Sequence, residues 1–345
     1  MPASNIDPAL SPGSSSRRER KWDRKGPRAK PKRVSLALQG GGAYGAFTWG
    51  VLDRLLEEKI SFDAVSGASI GAINAALLAS GLAKDGPDGA REALDAFWTK
   101  LSRMGIINRL LPPELLQAAS ALGVGSPYQF NPLDLNPVRD LLAQEIDFDA
   151  IQGNAPVRLL LSATRVSDGA LRIFREQDVS LDVVLASSCV PQLHHAVSIN
   201  GEPHWDGGFA ANPPLIELIG ASKVSDVLLV QIIPMNGADL PRTKKEIEHR
   251  LNQITFNSPL KGELEAISTM KKLSRADGDA SPSGLSRKVQ RLRLHQLAAE
   301  DHVPGLAEAS ILNVDASFLS ELRDAGRRAG DIWLSDQRSL TEETL

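Results

Sequence analysis

Two stretches decide the reading of this chain: Val34–Gly45, VSLALQGGGAYG, and Phe62–Gly71, FDAVSGASIG. Val34–Leu38 is a short apolar run that enters the glycine turn Gly40–Gly42. Beyond that turn Phe47, Val51, Leu52, Leu55 and Leu56 recur near helical spacing within Ala46–Lys59. The pattern predicts a strand, a tight turn and an amphipathic helix. Phe62–Ser66 is a second strand candidate, and it leads through Gly67-Ala68-Ser69-Ile70-Gly71 into the alanine-rich helical stretch Ile70–Ser80.

Outward from these units the alternation continues. Helices are expected at 88–104 and 112–122, then a Pro- and Asn-containing loop at Ser126–Pro137 and a helix at Val138–Ala143. Val157–Thr164 and Leu171–Arg175 read as neighbouring strands joined through Ser167–Gly169, followed by a helix at Val179–Ser187 and a buried strand at Val227–Ile233. Residues 235–285 are polar and helical in places, with an irregular stretch at Ala276–Gly284. Val289–Leu294 reads as a late strand and Ser317–Leu334 as a terminal helix. Short apolar strands alternating with amphipathic helices predict an α/β fold, a mostly parallel central sheet covered on both faces.

The glycine turn Gly40-Gly41-Gly42-Ala43-Tyr44-Gly45 satisfies the dinucleotide pattern Gly-x-Gly-x-x-Gly. A ribose-binding unit also wants an acid at the end of the second strand, whereas here Asp63 stands near its start. The same geometry serves an oxyanion, because successive glycines leave backbone N–H groups unobstructed at a helix N-terminus. The second turn matches Gly-x-Ser-x-Gly at a strand–helix junction, the context in which a serine is presented as a nucleophile. Bulk at Gly67 or Gly71 would clash there.

A serine hydroxyl needs a base. Downstream, Trp205-Asp206-Gly207-Gly208 pairs an acid with two glycines that let a ligand come close. His249, His295 and His302 follow it, none in a catalytic motif, so a direct Ser69–Asp206 dyad is the simpler expectation. His194, His195 and His204 lie near Asp206, but adjacent side chains on extended chain diverge and no metal site is expected. Cys189 reads as a buried core residue.

Gly40–Gly45, Gly67–Gly71 and Asp206–Gly208, in that order, resemble the patatin-like phospholipase family. Ala186-Ser187-Ser188-Cys189-Val190-Pro191 resembles the family's small-residue block. The resemblance covers roughly residues 34–220 and implies a three-layer α/β/α fold. It also implies lipid acyl ester hydrolysis by a Ser–Asp dyad, without histidine, metal or cofactor. Carried over, Ser69 is the nucleophile and Asp206 the base, with the backbone N–H groups of Gly40, Gly41 and Gly42 as oxyanion hole. Gly45, Gly67, Gly71, Gly207 and Gly208 support these turns. One departure is Tyr44, where the family often carries Arg or Lys. An esterase for short or polymeric esters, a lipid adaptor and a nucleotide-binding protein are the alternatives.

Composition is ordinary, with 42% hydrophobic and 23% charged residues and a formal net charge of -3, which argues against nucleic acid as a partner. The charge is uneven. Arg17, Arg18, Arg20, Lys21, Arg24, Lys25, Arg28, Lys30, Lys32 and Arg33 crowd the first residues. Residues 1–33 are thus expected to be a disordered basic tail, read first as simply solvated and alternatively as adsorbing reversibly on anionic lipid. Residues 34–220 are expected to form the catalytic core and 221–345 to complete the α/β domain. No apolar run reaches transmembrane length and no secretory signal is recognisable, so the expected location is cytoplasmic, with at most peripheral membrane contact. A single cysteine forms no intrachain disulfide.

Overall fold

The structure, a computed structural model, describes residues 33–108, 126–237, 240–276 and 284–342. The basic tail, the helix expected at 112–122 and most of the irregular stretch at 276–284 lie outside the described residues. Eight strands form one sheet: β1 Arg33–Leu38, β2 Ser61–Gly67, β3 Arg158–Arg165, β4 Leu171–Arg175, β5 Val197–Ile199, β6 Glu202–Asp206, β7 Asp226–Gln231 and β8 Arg293–Ala298. Their order is β5-β6-β3-β2-β1-β7-β8, with β4 paired to β3. The run β3-β2-β1-β7-β8 is parallel, whereas β4 and β6 lie antiparallel to β3.

The helices are α1 Gly45–Glu57, α2 Ile70–Asn108, α3 Pro127–Phe130, α4 Pro137–Glu145, α5 Phe148–Asn154, α6 Leu181–Ser187, α7 Leu215–Ala221, α8 Lys244–Ala276, α9 Gly284–Arg291 and α10 Ala316–Glu342. A break at Asp85–Gly86 divides α2. Strand side chains alternate between two cores, as a period of two requires. Val34, Leu36 and Leu38 of β1 pack with α1, α2 and α10, while Ala37 joins Leu215, Ile219 and Leu260 of α7 and α8. Leu228 and Val230 of β7 likewise face the first core, and Val227 and Leu229 the second. The result is three layers, α/β/α, with the sheet buried on both faces.

Three differences from the sequence expectations have physical causes. The late strand begins at Arg293 rather than Val289, because Val289 is fully buried from helix α9. One apolar residue among polar ones fits either period over so short a run. The polar stretch after residue 243 is one long helix, α8. The third is the hairpin β5–β6, turned by Asn200 and Gly201 at φ 51° and 81°.

Asp63, the acid near the start of β2, is fully buried and committed to structure. It accepts two hydrogen bonds from the Arg158 guanidinium, at 2.8 and 2.9 Å, and the Lys223 N–H at 2.7 Å. Asp63→Ala strands these donors, and we expect a loss of about 2–4 kcal/mol, read as a lower urea midpoint at unchanged slope.

Candidate active site

Sheet pairing explains how residues distant in sequence meet. Strand β4 runs along one edge of β3 from Leu160 to Thr164, so β2 and β6 must share the other. Gly67 ends β2 opposite Leu161, and Asp206 ends β6 opposite Ala163. The two strands therefore approach head-on along one edge of β3, and their ends sit two residues apart, roughly 7 Å. Ser69 leaves one end and Asp206 occupies the other. The first glycine turn leaves the carboxyl end of β1, next to β2, and ligands of open α/β sheets bind at such ends.

Ser69 is half-buried and has φ 53°, in the left-handed region that a side chain seldom adopts. Its carbonyl accepts Ala72 and Ile73 N–H at 2.9 and 3.1 Å, opening α2. Its own N–H is held by Ser187, at 3.1 Å from the carbonyl and 3.0 Å from Oγ. The turn is as tight as its glycines suggest. A Cβ on Gly71 would lie 2.1 Å from the Leu38 carbonyl oxygen, and one on Gly40 2.7 Å from Ser69 Cβ.

Asp206 is wholly buried. Its N–H donates to Cys189 O at 2.8 Å and its carbonyl accepts the Thr164 hydroxyl at 2.7 Å, which fixes the backbone. Oδ1 accepts Gly208 N–H at 2.7 Å, and Oδ2 makes no hydrogen bond among the described residues. Burial pushes the carboxyl up to about 7, against the opposing effects of the Gly208 N–H and the nearby Ser69 hydroxyl.

The six histidines stand elsewhere. His204 is buried edge-on to Phe174, His195 stacks on Tyr128, and His302 stacks on Phe47. His249 Nε2 contacts Ala307 O at 2.6 Å and His295 Nε2 contacts Asp226 at 3.1 Å. His194 lines a small pocket, of about 20 Å³, with Cys189 and Asp134. Cys189 is buried, and its thiol, pushed up to about 12 by burial, donates to His195 O at 3.0 Å. Among the described residues no three His, Cys, Asp or Glu gather as a metal site.

The glycine turn requires a correction. Gly40 N–H is taken by the Asn212 side chain, at 2.7 Å from Oδ1, and is not available to a substrate oxygen. Gly41 and Gly42 N–H have no hydrogen bond among the described residues. Tyr44 is buried, and its hydroxyl lies 3.0 and 2.6 Å from the Leu306 and Ala309 carbonyls. In this chain the position pins the segment before α10 instead of presenting a positive charge. Asn212, Ser187 and Thr164 carry no motif that marks them. Only the small-residue block drew attention to Ser187.

The model of the family described as patatin-like phospholipase matches residues 36–219, more than half of the chain. Over 183 residues the chain is 32% identical to the patatin-like phospholipase domain-containing protein ZK370.4 of Caenorhabditis elegans, covering 52% of this chain and 12% of that protein. Over 232 residues it is 26% identical to the uncharacterized protein YjjU of Escherichia coli (strain K12), covering 64% of this chain and 58% of that one. The chain thus matches a small part of the first relative and little more than half of the second. Among solved structures, VipD from Legionella pneumophila aligns with a TM-score of 0.45 at 16% identity, over 92% of this chain and 72% of that one. ExoU in its complex with SpcU from Pseudomonas aeruginosa aligns at 0.37 and 17% identity, over 94% and 85%. On the match over residues 36–219, the chain belongs to the patatin-like phospholipase family.

Proposed function

We propose that this chain is a serine acyl hydrolase of lipid carboxylic esters, with Ser69 as nucleophile and Asp206 as general base. One observation carries the reading: a half-buried serine on a strained strand–helix turn faces a fully buried carboxyl whose proton affinity is raised to about 7. An ordinary carboxylate is a weak base toward a serine hydroxyl, and the raised value brings it near working pH.

In the proposed reaction Asp206 Oδ2 takes the Ser69 proton as Oγ bonds to the ester carbonyl carbon. The carbonyl π pair moves to oxygen, and the Gly41 and Gly42 N–H groups hold that charge, each donor contributing about 3 kcal/mol in comparable sites. Collapse expels the alcohol, which leaves with the proton from Asp206, and an acyl-serine remains. Water then attacks the acyl carbon and gives its proton to Asp206. Ser69 Oγ leaves as the second tetrahedral species collapses and recovers that proton, releasing the fatty acid. No histidine contact competes for this role, which supports the dyad. In the same reading residues 34–220 hold both reacting side chains, 221–345 complete the domain, and the basic segment 1–33 meets anionic lipid.

Hydrolysis of p-nitrophenyl esters of graded chain length and of phospholipid vesicles tests the proposal. Ser69-dependent turnover favouring long acyl chains supports it, and a short-chain optimum points to soluble esters instead. The acid limb of the pH profile gives a second test. Asp206 must be unprotonated to act, so kcat/KM should rise with pH and reach half its plateau near pH 7. A profile flat between about pH 5 and 9 would count against Asp206 as the base.

A further inference from the structure

Asn212 is fully buried and lies six residues beyond Asp206 in the chain. Its side-chain amide is matched on both ends. Oδ1 accepts Gly40 N–H at 2.7 Å, while Nδ2 donates to Phe256 O at 3.0 Å and lies 3.4 Å from Gly40 O. It thus treats Gly40 as a neighbouring strand would, taking its N–H and approaching its carbonyl. The preceding residue of the turn is held as firmly: Gln39 N–H donates to Val230 O at 3.1 Å, and Gln39 Oε1 accepts Ile232 and Ile233 N–H at 2.8 and 2.9 Å. The next two N–H groups, of Gly41 and Gly42, are unpaired among the described residues, and pairing resumes at Ala43, whose N–H donates to Ile311 O at 2.7 Å. Asn212 is the last anchor before them.

The anchor also joins the two halves of the site. Phe256, whose carbonyl Asn212 grips, packs tilted against Phe209 with ring centroids 4.9 Å apart, and a Cβ on Gly208 would lie 2.7 Å from its ring. Gly208 N–H is the donor to Asp206 Oδ1. At the other end, Ser162 Oγ lies 3.1 Å from Ala211 O and 3.3 Å from Gly67 O, linking the segment before Asn212 to the end of β2.

We infer that Asn212 is a positioning residue for transition-state stabilisation. It sets the distance between the free N–H groups of Gly41 and Gly42 and the Ser69 carbonyl adduct by locking Gly40 to the Asp206–Asn212 turn. The inference rests on the acyl-hydrolase reading and adds a role for a residue that touches no substrate. Misplacement of oxyanion donors weakens binding of the charged transition state while leaving the neutral ground state almost unaffected.

The test compares unmodified enzyme with Asn212→Ala in the full chain. Active sites are counted with a p-nitrophenyl phosphonate, so that a misfolded fraction does not enter kcat. Per titrated site, kcat should fall about 10- to 100-fold with KM changed less than about threefold. A long-chain trifluoromethyl ketone, which forms an oxyanion on Ser69, should lose affinity in the same proportion, and the matching ether, which cannot, should bind as before. A purely structural role would lower the titratable fraction and leave both ligands and per-site kcat alone. That result would overturn the inference. Should the alanine variant fail to fold, Asn212→Leu decides. It keeps the side-chain volume but loses both the acceptor for Gly40 N–H and the Nδ2 donor, and unchanged per-site kcat and ketone affinity in it would equally overturn the inference. Absence of Ser69-dependent turnover in the unmodified enzyme would instead remove the underlying reading, and this inference with it.

Discussion

Replacing Asp206 by Asn is expected to abolish turnover and to make the protein more stable above neutral pH. Both effects come from one observation, a wholly buried carboxyl with its proton affinity raised from 3.8 to about 7. The sign follows from proton counting. Between about pH 4 and 7 the unfolded chain has already lost this proton while the folded chain keeps it, so folding stability falls as pH rises through the window. Above pH 7 the full penalty is present. Asn carries no charge, preserves the acceptor for Gly208 N–H, and removes the penalty. The gain at pH 8 should be on the order of 2–4 kcal/mol, and near pH 4 the two proteins should unfold alike. Thermal or urea unfolding at both pH values reads this directly. Turnover should drop at least about 10³-fold, because a neutral amide cannot take the Ser69 proton. Equal stability of the two proteins at pH 8 would mean that the carboxylate is better solvated than its burial implies.

Ser69→Ala is the second large effect. With the proposed nucleophile gone, hydrolysis should fall by at least about 10³-fold and the acyl-enzyme should disappear, while the fold is retained. The left-handed φ of 53° at this position supplies an internal control. Ala preserves the Cβ and its strain, whereas Gly relieves it, so Ser69→Gly should be equally inactive and about 1 kcal/mol more stable than Ser69→Ala. Comparing the melting temperatures of the two inactive variants separates strain from chemistry. Retained turnover in either variant would assign the reaction to another group.

Most of the architecture was legible because it is local. β1, α1, β2 and the start of α2 follow from apolar periodicity and from glycines at two strand–helix junctions. The structure places the first three within a residue or two of the expected limits and starts α2 at Ile70 as expected, though its first part runs on to the break at Asp85. The hairpin β3–β4 was readable for the same reason. The hairpin β5–β6 was readable in principle, since Asn200-Gly201 is a strong two-residue turn signal. Its three-residue strand β5 and the proline in β6 kept the alternating pattern too short to register. The start of β8 was displaced because Val289 is buried from a helix, and burial alone does not separate the two periods.

The site divides along the same line. Sequence alone indicates where glycine is needed and which serine and aspartate are candidates, because turn geometry depends on a few adjacent residues. Only the tertiary structure decides that β2 and β6 meet on one edge of β3, bringing Asp206 toward Ser69 across a sequence separation of 137. It alone decides that Gly40, 172 residues from Asn212, has spent its N–H and leaves Gly41 and Gly42 as free donors. It also decides that Tyr44 is a buried peg and that Asp206 holds its proton to about pH 7. The physical reason is common to all four. Hydrogen-bond partnership and desolvation depend on which groups fold up against a residue, and packing brings those groups from anywhere along the chain.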